Sequence, residues 1–501
     1  MIFWNAIHHI TVLEGNAMSK QYNLKKIFLS FLMGFIIFVV ALYFIAGDSF
    51  HYKTTASSTI DAAAVVGEIT AENEVRQNFT IDSNCVTQYQ LQFATYGREN
   101  TSNICLQIFA ADGTLLAENQ IAASELTDNG VQTFVLEQPI TQRKGETAQL
   151  VISSDATTSN GVSVYYGNSI NLGRGSVVQT YSDDQKVSIG ETKLDGILYL
   201  SQVSREQLWF GHYYWMIAAG VVLLLALYFG VVLHKDKQGK KSATVNFIGS
   251  LSRYHFLIQQ LVSRDFKTKY RRSVLGVFWS FLNPLLTMLV QYVVFSTLFN
   301  SSIEHYPAYL LSGIVLFNFF NETTSVGMTS ITSNAPLITK VYVPKYIYPL
   351  ARMLSSTINV ALSLLPLFLV SIFTGVYPAV SWVLLIFNLL CLMSFSLGVS
   401  YILSTLMVYF RDTQFLWSVV SMIWMYCTPI FYPESIIPAA FLKFYRLNPL
   451  YQLIGFARCA LIDRVSPPPM SYLVCILVAV IPLVVGVWIF NKKEKDFVLY
   501  L

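Results

Sequence analysis

Charge is scarce in this chain. Asp, Glu, Lys and Arg together make up 12% of its 501 residues, where globular proteins carry about 25%. With 54% of positions apolar, that scarcity excludes a disordered chain and argues against an ordinary water-soluble enzyme. Cysteine is sparse too, and six residues over this length do not make a disulfide scaffold. Also missing is any Gly-x-x-x-x-Gly-Lys-Ser/Thr. The segment Gly239-Lys-Lys-Ser242 lacks the first glycine and a preceding strand, so the chain has no loop of its own to cradle ATP phosphates. The histidines (His8, His9, His51, His212, His234, His255 and His305) lie outside the apolar runs or at their ends. No carboxylate pair stands in an obvious catalytic arrangement, which weighs against a membrane acyl- or glycosyltransferase.

The charges that are present are unevenly placed. Residues 47–208 hold 19 of the 29 acidic and 9 of the 33 basic residues, leaving an apolar body with basic edges. Eight stretches have the length and apolarity of a membrane helix: 27–46, 213–233, 275–299, 309–331, 350–374, 380–409, 413–431 and 472–490. The first is too long and uniform for a signal-peptide core and reads as a retained anchor. Met18, followed by Ser19, Lys20, Lys25 and Lys26, is an alternative to Met1 as the start. Lys and Arg collect on one set of connections: 20–26, the ten between His234 and Arg272, Lys340, Lys345 and Arg352, Arg411, and Lys492, Lys493 and Lys495. By the positive-inside rule these are cytoplasmic. Both termini are then inside the plasma membrane and 47–208 is extracytoplasmic. The expected order is a tail (1–26), span 27–46, a polar domain (47–208), span 213–233, a basic linker (234–252), and a membrane domain (253–501). The last comprises an interface helix (253–272) and six spans (275–490).

Within 61–166 the pattern has period two, as in Gln88–Thr95, Ile104–Phe109, Gln132–Leu136 and Gln149–Ser153. Turn signals fall at Asp112-Gly113, Asp128-Asn-Gly130, Lys144-Gly145 and Asn160-Gly161. Short strands at this spacing predict an antiparallel β-sandwich of jelly-roll type. It resembles in pattern the small carbohydrate-binding sandwiches of bacterial surface proteins. Tyr89, Tyr96, Tyr165, Tyr166 and Tyr181 either stack on sugar rings or serve the sandwich itself. Cys85 and Cys105 are each read from their own strand's alternation, and the two faces argue against a bridge without excluding one.

Tyr254, Ile258, Val262, Phe266 and Tyr270 recur every four residues, widened by Leu257 and Leu261. Arg264, Lys267, Lys269, Arg271 and Arg272 occupy the other faces. Such a basic amphipathic helix before a span lies in the inner interface, its apolar face in lipid and its cations near anionic headgroups. From Leu261-Val-Ser-Arg-Asp-Phe-Lys-Thr-Lys-Tyr-Arg-Arg-Ser to Phe281-Leu-Asn-Pro-Leu285 the chain closely resembles the opening of ABC-2 permeases that export lipid-linked polysaccharides such as O-antigen and teichoic acid. Asn334-Ala-Pro-Leu-Ile-Thr-Lys, Phe410-Arg-Asp-Thr413, Thr428-Pro-Ile-Phe-Tyr-Pro433 and Leu447-Asn-Pro-Leu450 continue the resemblance in register over residues 250–501.

The resemblance implies a transporter subunit, not an enzyme, working as a homodimer with separate ATPase subunits that hold the ATP and magnesium; this chain is expected to bind no cofactor, metal or nucleic acid. A coupling helix at about 334–347 would dock on the ATPase through Ile338, Val341 and Tyr342, oriented by Lys340 and Lys345. Arg264, Asp265, Lys267, Tyr270 and Arg271 would line the interface helix, and Arg411-Asp412 a cytoplasmic turn acting as hinge or as plain helix cap. Glu322, the only acidic residue deep in an apolar run, either lines the path or pairs between subunits, or packs as a protonated, hydrogen-bonded side chain. Trp279, Tyr292, Phe320, Trp424 and Tyr426, with Phe278, Phe317 and Phe319, are candidate walls for a sliding sugar polymer. Pro433, Pro438 and Pro449 break 432–463 into two short helices dipping into the outer leaflet, where the family has an outer gate. The rivals are an ABC-2 exporter of drugs or lipids and, further off, a receptor with an outside glycan-binding domain.

Overall fold

A computed structural model describes residues 24–46, 48–56, 63–167, 169–171, 176–178, 185–238, 243–271, 273–299, 305–340 and 343–501. The expectations placed on Met18, Tyr181, Arg272, Val341 and Tyr342 lie outside the described residues. Two compact units emerge. One comprises Asp48–His212 with Pro438–Phe441; the other Met1–Gly47, Tyr213–Ile437 and Leu442–Leu501.

The first unit is built of antiparallel strands: β1 (Tyr52–Ala56), β2 (Ala64–Val65), β3 (Val75–Thr80), β4 (Cys85–Ala94), β5 (Asn103–Ala110), β6 (Leu115–Ala122), β7 (Val131–Thr141), β8 (Thr147–Ser154), β9 (Ser163–Gly167), β10 (Ser169–Asn171), β11 (Ser176–Val178), β12 (Ser188–Ile189), β13 (Thr192–Lys193), β14 (Ile197–Leu198) and β15 (Leu200–Gln207). One sheet runs β1-β15-β4-β9-β14, with β7 also on β4 and β2 on β9. A second runs β13-β12-β3-β8-β5-β6, and β10 pairs with β11 alone. Neighbours are mostly non-consecutive, as a sandwich requires and a meander does not. Alternation decides the core: Ile104, Leu106 and Ile108 of β5 and Leu150 and Ile152 of β8 meet Tyr89, Leu91 and Phe93 of β4 and Val164 of β9. A bulge between Val86 and Gln88 shifts the β4 register, so that Val86 as well as Tyr89, Leu91 and Phe93 faces inward. Cys85 and Cys105 lie on different sheets and both are free thiols. Cys105 Sγ lies 3.3 Å from Glu118 Oε1.

The second unit is helical: α1 (Leu24–Ala46), α2 (Tyr214–Lys237), α3 (Ala243–Tyr270), α4 (Trp279–Phe299), α5 (Tyr306–Met328), α6 (Ile347–Phe373), α7 (Leu384–Tyr409), α8 (Thr413–Tyr426), α9 (Ala439–Arg446, whose first three residues group with the first unit), α10 (Pro449–Leu461), α11 (Pro469–Lys493) and α12 (Phe497–Tyr500). Among the described residues six helices are long and apolar enough to cross a membrane: α1, α2, α4, α6, α7 and α11. Two of the eight expected spans differ. The 23-residue α5 is long enough, but Asn318, Asn321, Glu322, Thr323 and Thr324 make it polar and most of it is buried. The 14-residue α8 is about 21 Å long, short of the roughly 30 Å hydrocarbon layer. It ends at Tyr426 because Pro429 disfavours helix in the residue before it. The two short helices expected between Tyr432 and Asp463 are α9 and α10, the second capped by Asn448, which accepts from Leu450 N at 3.0 Å.

Small residues let the long helices touch. A Cβ added at Gly398 of α7 would sit 2.4 Å from the Leu483 nitrogen of α11, and one at Gly486 would sit 2.2 Å from the Gly398 oxygen. Likewise Gly327 of α5 lies against Ser400 of α7, whose hydroxyl donates to Thr323 O at 3.2 Å. In lipid, where apolar burial does not drive association, such close backbone approach is what holds helices together.

Candidate functional site

The predicted stripe lies on a helix that starts earlier than expected, at Ala243, and its middle packs on protein where lipid was expected. Ile258 and Leu261 are buried, with Tyr254, Leu257 and Val262 packed beside them, against Ile331, Ile338, Val343, Ile347, Tyr348, Tyr401, Phe490 and Phe497. With its apolar stripe fixed there, the next turns of α3 bring their polar side chains to α5 and α6.

Those side chains form a network. Asp265 is 10% exposed; its carboxylate meets Arg352 Nη1 of α6 at 2.8 Å and Arg264 Nη2 at 3.2 Å. Arg264 also donates to Asn334 Oδ1 at 3.1 Å. One turn on, Lys269 Nζ donates to Glu322 Oε1 of α5 at 2.8 Å. The same oxygen accepts from Asn359 Nδ2 of α6 at 2.6 Å. Tyr270 donates to Asn359 Oδ1 at 3.0 Å and its hydroxyl also meets Ser280 Oγ. Two carboxylates are thus shared among three cations and the amide of Asn359: Asp265–Arg352 joins α3 to α6, Lys269–Glu322 joins α3 to α5, and Asn359–Glu322 joins α6 to α5. The network lines a cleft of about 640 Å³ walled by Arg264, Asp265, Lys269, Glu322, Arg352 and Asn359, with serines between them.

The cleft unites residues read separately in the sequence. Arg264, Asp265 and Tyr270 lie beside Glu322, which has Lys269 as its cation within one chain. Lys267 and Arg271 are exposed. Arg352 and Asn359 carry as much of the network as any residue of α3. Their signal was two polar residues seven apart on an apolar helix, one face repeating after two turns.

The segment expected to dock on an ATPase is arranged differently from expectation. Among the described residues between Asn334 and α6, Ala335–Ile338 is α-helical, and 343–346 is not. Ile338 is 8% exposed and faces the α3 cluster, because the turn needs an apolar anchor to hold it against α3. It therefore presents no side chain for docking in this state. Pro336, Thr339 and Lys340 are exposed instead. Lys345 donates to the Glu494 carbonyl and lies 5.7 Å from the Phe497 ring. Burial raises the pKa of the neighbouring Glu494 carboxyl.

The aromatic candidates separate into two groups. Phe320 is fully buried, stacked on Phe395 at 5.2 Å and edge-on to Trp417 and Trp424. Phe317 and Phe319 are buried as well, so these three are packing residues of α5 and not walls of a passage in this chain. Trp279, Tyr292 and Tyr426 are exposed, and Trp424 donates its indole N–H to Asn448 Oδ1 at 2.8 Å. Arg411 and Asp412 are exposed in the turn between α7 and α8. Pro433 precedes a single 3-10 turn, Pro438 is exposed before α9, and Pro449 opens α10. Among the described residues no group of three His, Cys, Asp or Glu side chains is placed to hold a metal.

Known proteins share this helical half. The family described as "ABC-2 type transporter" matches residues 256–461. An O-antigen export system permease protein of Myxococcus xanthus is 28% identical over 257 residues, 50% of this chain and 98% of that protein. One from Klebsiella pneumoniae is 31% identical over 247 residues, 48% of this chain and 93% of the relative. A polysialic acid transport protein of Escherichia coli is 20% identical over 241 residues, covering 48% and 93%. With several helices able to span a bilayer and relatives matched over nearly their whole length, this chain is a multi-pass membrane protein that belongs to the ABC-2 type transporter family.

Proposed function

We propose that the chain is the permease subunit of an exporter that moves a lipid-linked cell-surface polysaccharide outward across the cytoplasmic membrane. A second copy completes the passage, and separate ATPase subunits hold and hydrolyse the ATP with its magnesium. The observation that carries this reading is that the C-terminal half covers nearly the full length of permeases named for O-antigen export. The placement of Lys and Arg supports cytoplasmic termini and an extracytoplasmic β unit. The permease makes and breaks no bonds; its residues position and move. On this reading the α3 cleft lies at the inner interface, where Arg264, Lys269 and Arg352 favour an anionic lipid head entering from the leaflet. ATPase closure pushes on the exposed Pro336, Thr339 and Lys340. The push reaches α3 through Ile338, which shares a core with Ile258 and Leu261. The β unit is then placed to meet glycan as it emerges.

The test is co-expression with the neighbouring ATPase, followed by glycan export and ATP hydrolysis in proteoliposomes. Lys340→Glu and Thr339→Pro should leave the permease folded, weaken the complex and uncouple hydrolysis from export. Copurification with no ATPase, and export unchanged by both substitutions, would reject the reading.

A further inference from the structure

The irregular stretch between α8 and the following 3-10 turn has its backbone carbonyls met by side chains. Arg458 of α10 donates through Nη1 to Pro429 O at 2.7 Å and through Nη2 to Ile430 O at 3.0 Å. Tyr306 donates to Phe431 O at 2.7 Å. Tyr309 reaches Tyr432 O at 3.0 Å and Pro429 O at 3.3 Å. Four successive carbonyls, Pro429 to Tyr432, are thus satisfied from α5 and α10. Arg458 also bonds α5 directly, from Nη2 to Tyr309 O at 3.2 Å, with its guanidinium 3.4 Å from the centre of the Tyr309 ring. Gly313 makes the room: a Cβ there would meet Arg458 Nη2 at 2.9 Å and Ile430 Cγ2 at 3.0 Å.

No ion pair joins Arg458 to a carboxylate among the described residues, and its Nε is buried without a hydrogen-bond partner. A cation among apolar helices is costly unless dipoles or a ring hold it; here main-chain carbonyls and Tyr309 do so. Beside it lies a cavity of about 760 Å³ whose walls include Arg458 and Tyr309 and two carboxyl-bearing residues, Glu434 and Asp463. The guanidinium binds the carbonyls at one wall of this space, and Glu434 and Asp463 belong to the same lining.

We propose that Arg458, with Tyr306 and Tyr309, is a latch that holds Thr428–Tyr432 against α5, and that this stretch opens when Arg458 leaves the carbonyls for an acid of the cavity wall. The proposal rests on the exporter reading for its place on the outer side. Two arrangements of one cation give the segment two discrete positions, as a gate requires.

The experiment uses full-length protein in proteoliposomes with its ATPase. Cys85, Cys105, Cys427 and Cys459 are replaced by serine, a single reporter is introduced as Phe431→Cys, and a membrane-impermeant maleimide is added from the outside. Phe431 is 3% exposed, so the reporter should label slowly. Arg458→Gln should raise its rate at least tenfold, and Tyr309→Phe, which keeps the ring and removes two bonds, about threefold. Asp463→Asn with Glu434→Gln should suppress the acceleration that ATP produces. Native Cys391 and Cys475 are buried and report general loosening. Unchanged Phe431→Cys labelling in Arg458→Gln, with Cys391 protected, overturns the latch. Labelling of Cys391 and Cys475 in step with the reporter, in Tyr309→Phe as well as Arg458→Gln, overturns it equally, since the residues would then only hold the fold. The predicted labelling without glycan export would uphold the latch and reject the exporter reading.

Discussion

The β unit and the helical unit use buried positions in opposite ways. In the β unit the side chains that vanish from the surface are mostly Val, Ile, Leu and Phe, with charged groups outside. In the helical unit fully buried positions include Ser312, Thr323, Thr324, Ser330, Asn388, Ser396, Ser400 and Ser404. Leu223, Leu224, Val290, Val293, Ile386, Phe415 and Leu416 face outward. Water pays the β sandwich to hide its apolar face, whereas lipid gives no such reward, so helices join through small residues and hydrogen bonds. The helical unit keeps an apolar core as well, but it adds buried hydroxyls between helices and turns many large apolar residues outward, because its solvent differs.

Breaking each core by its own rule should expose that difference. Leu106→Ala, in the fully buried β5 row, should cost about 3–4 kcal/mol. Intrinsic fluorescence and proteolysis should show the β unit melting first while the helical unit stays folded. Asp265→Ala leaves Arg352, whose side chain is 19% exposed, without its carboxylate. A loss of about 3 kcal/mol is expected, read as a lower aggregation temperature in detergent, with Arg352→Ala in the same background restoring part of it. Gly398→Ala places a methyl against the α11 backbone and should cost about 2 kcal/mol. A volume-matched Gly→Ala at Gly220, where nothing lies within 4 Å, should cost nothing measurable by the same assay.

The smallest effect concerns pH and only the β unit. The Arg98 hydrogen bond, aided by Ser159 N–H, holds the Glu68 carboxyl below its ordinary value. Asp128 is lowered by the Thr95 backbone and Asp155 by the Asn103 backbone. Because these pKa values are lower folded than unfolded, their stabilisation is complete above the unfolded carboxylate range and fades as pH falls through the lowered values. The β unit should therefore lose melting temperature below about pH 4, and Asp155→Asn should flatten that slope.

How much was legible varies by element. The α3 stripe could be read because a four-residue repeat survives any detail of packing, while its first ten residues carry no stripe and merged with the linker. The β strands showed their alternation, but the bulge after Val86 inserts one residue without changing composition, so the inward set of β4 was misaligned at its start. Spans were legible by apolarity, while α8 stops after 14 residues because Pro429, and not hydropathy, ends it. The cleft was half visible: Glu322 stood out as an acid in an apolar run, but its partners come from two other helices, α3 and α6, and spacing along one helix does not say which faces meet. Arg458 carries the same signal, a lone cation inside 453–461, but sequence does not show that carbonyls and a tyrosine ring from other segments meet it. Ile338 was assigned outward because an exposed apolar residue and a buried anchor look alike in sequence.

The contact of Gly398 with Gly486 has a mechanical meaning. Where side chains interdigitate, turning one helix against another forces rotamers to change. Where backbone meets backbone at a single pair of glycines, separation is fixed by atomic radii but the angle is restrained by little beyond the neighbouring contacts. Such a crossing sets the distance between α7 and α11 by the size of backbone atoms alone, so a methyl group added at either glycine has no side chain to displace and must part the helices themselves.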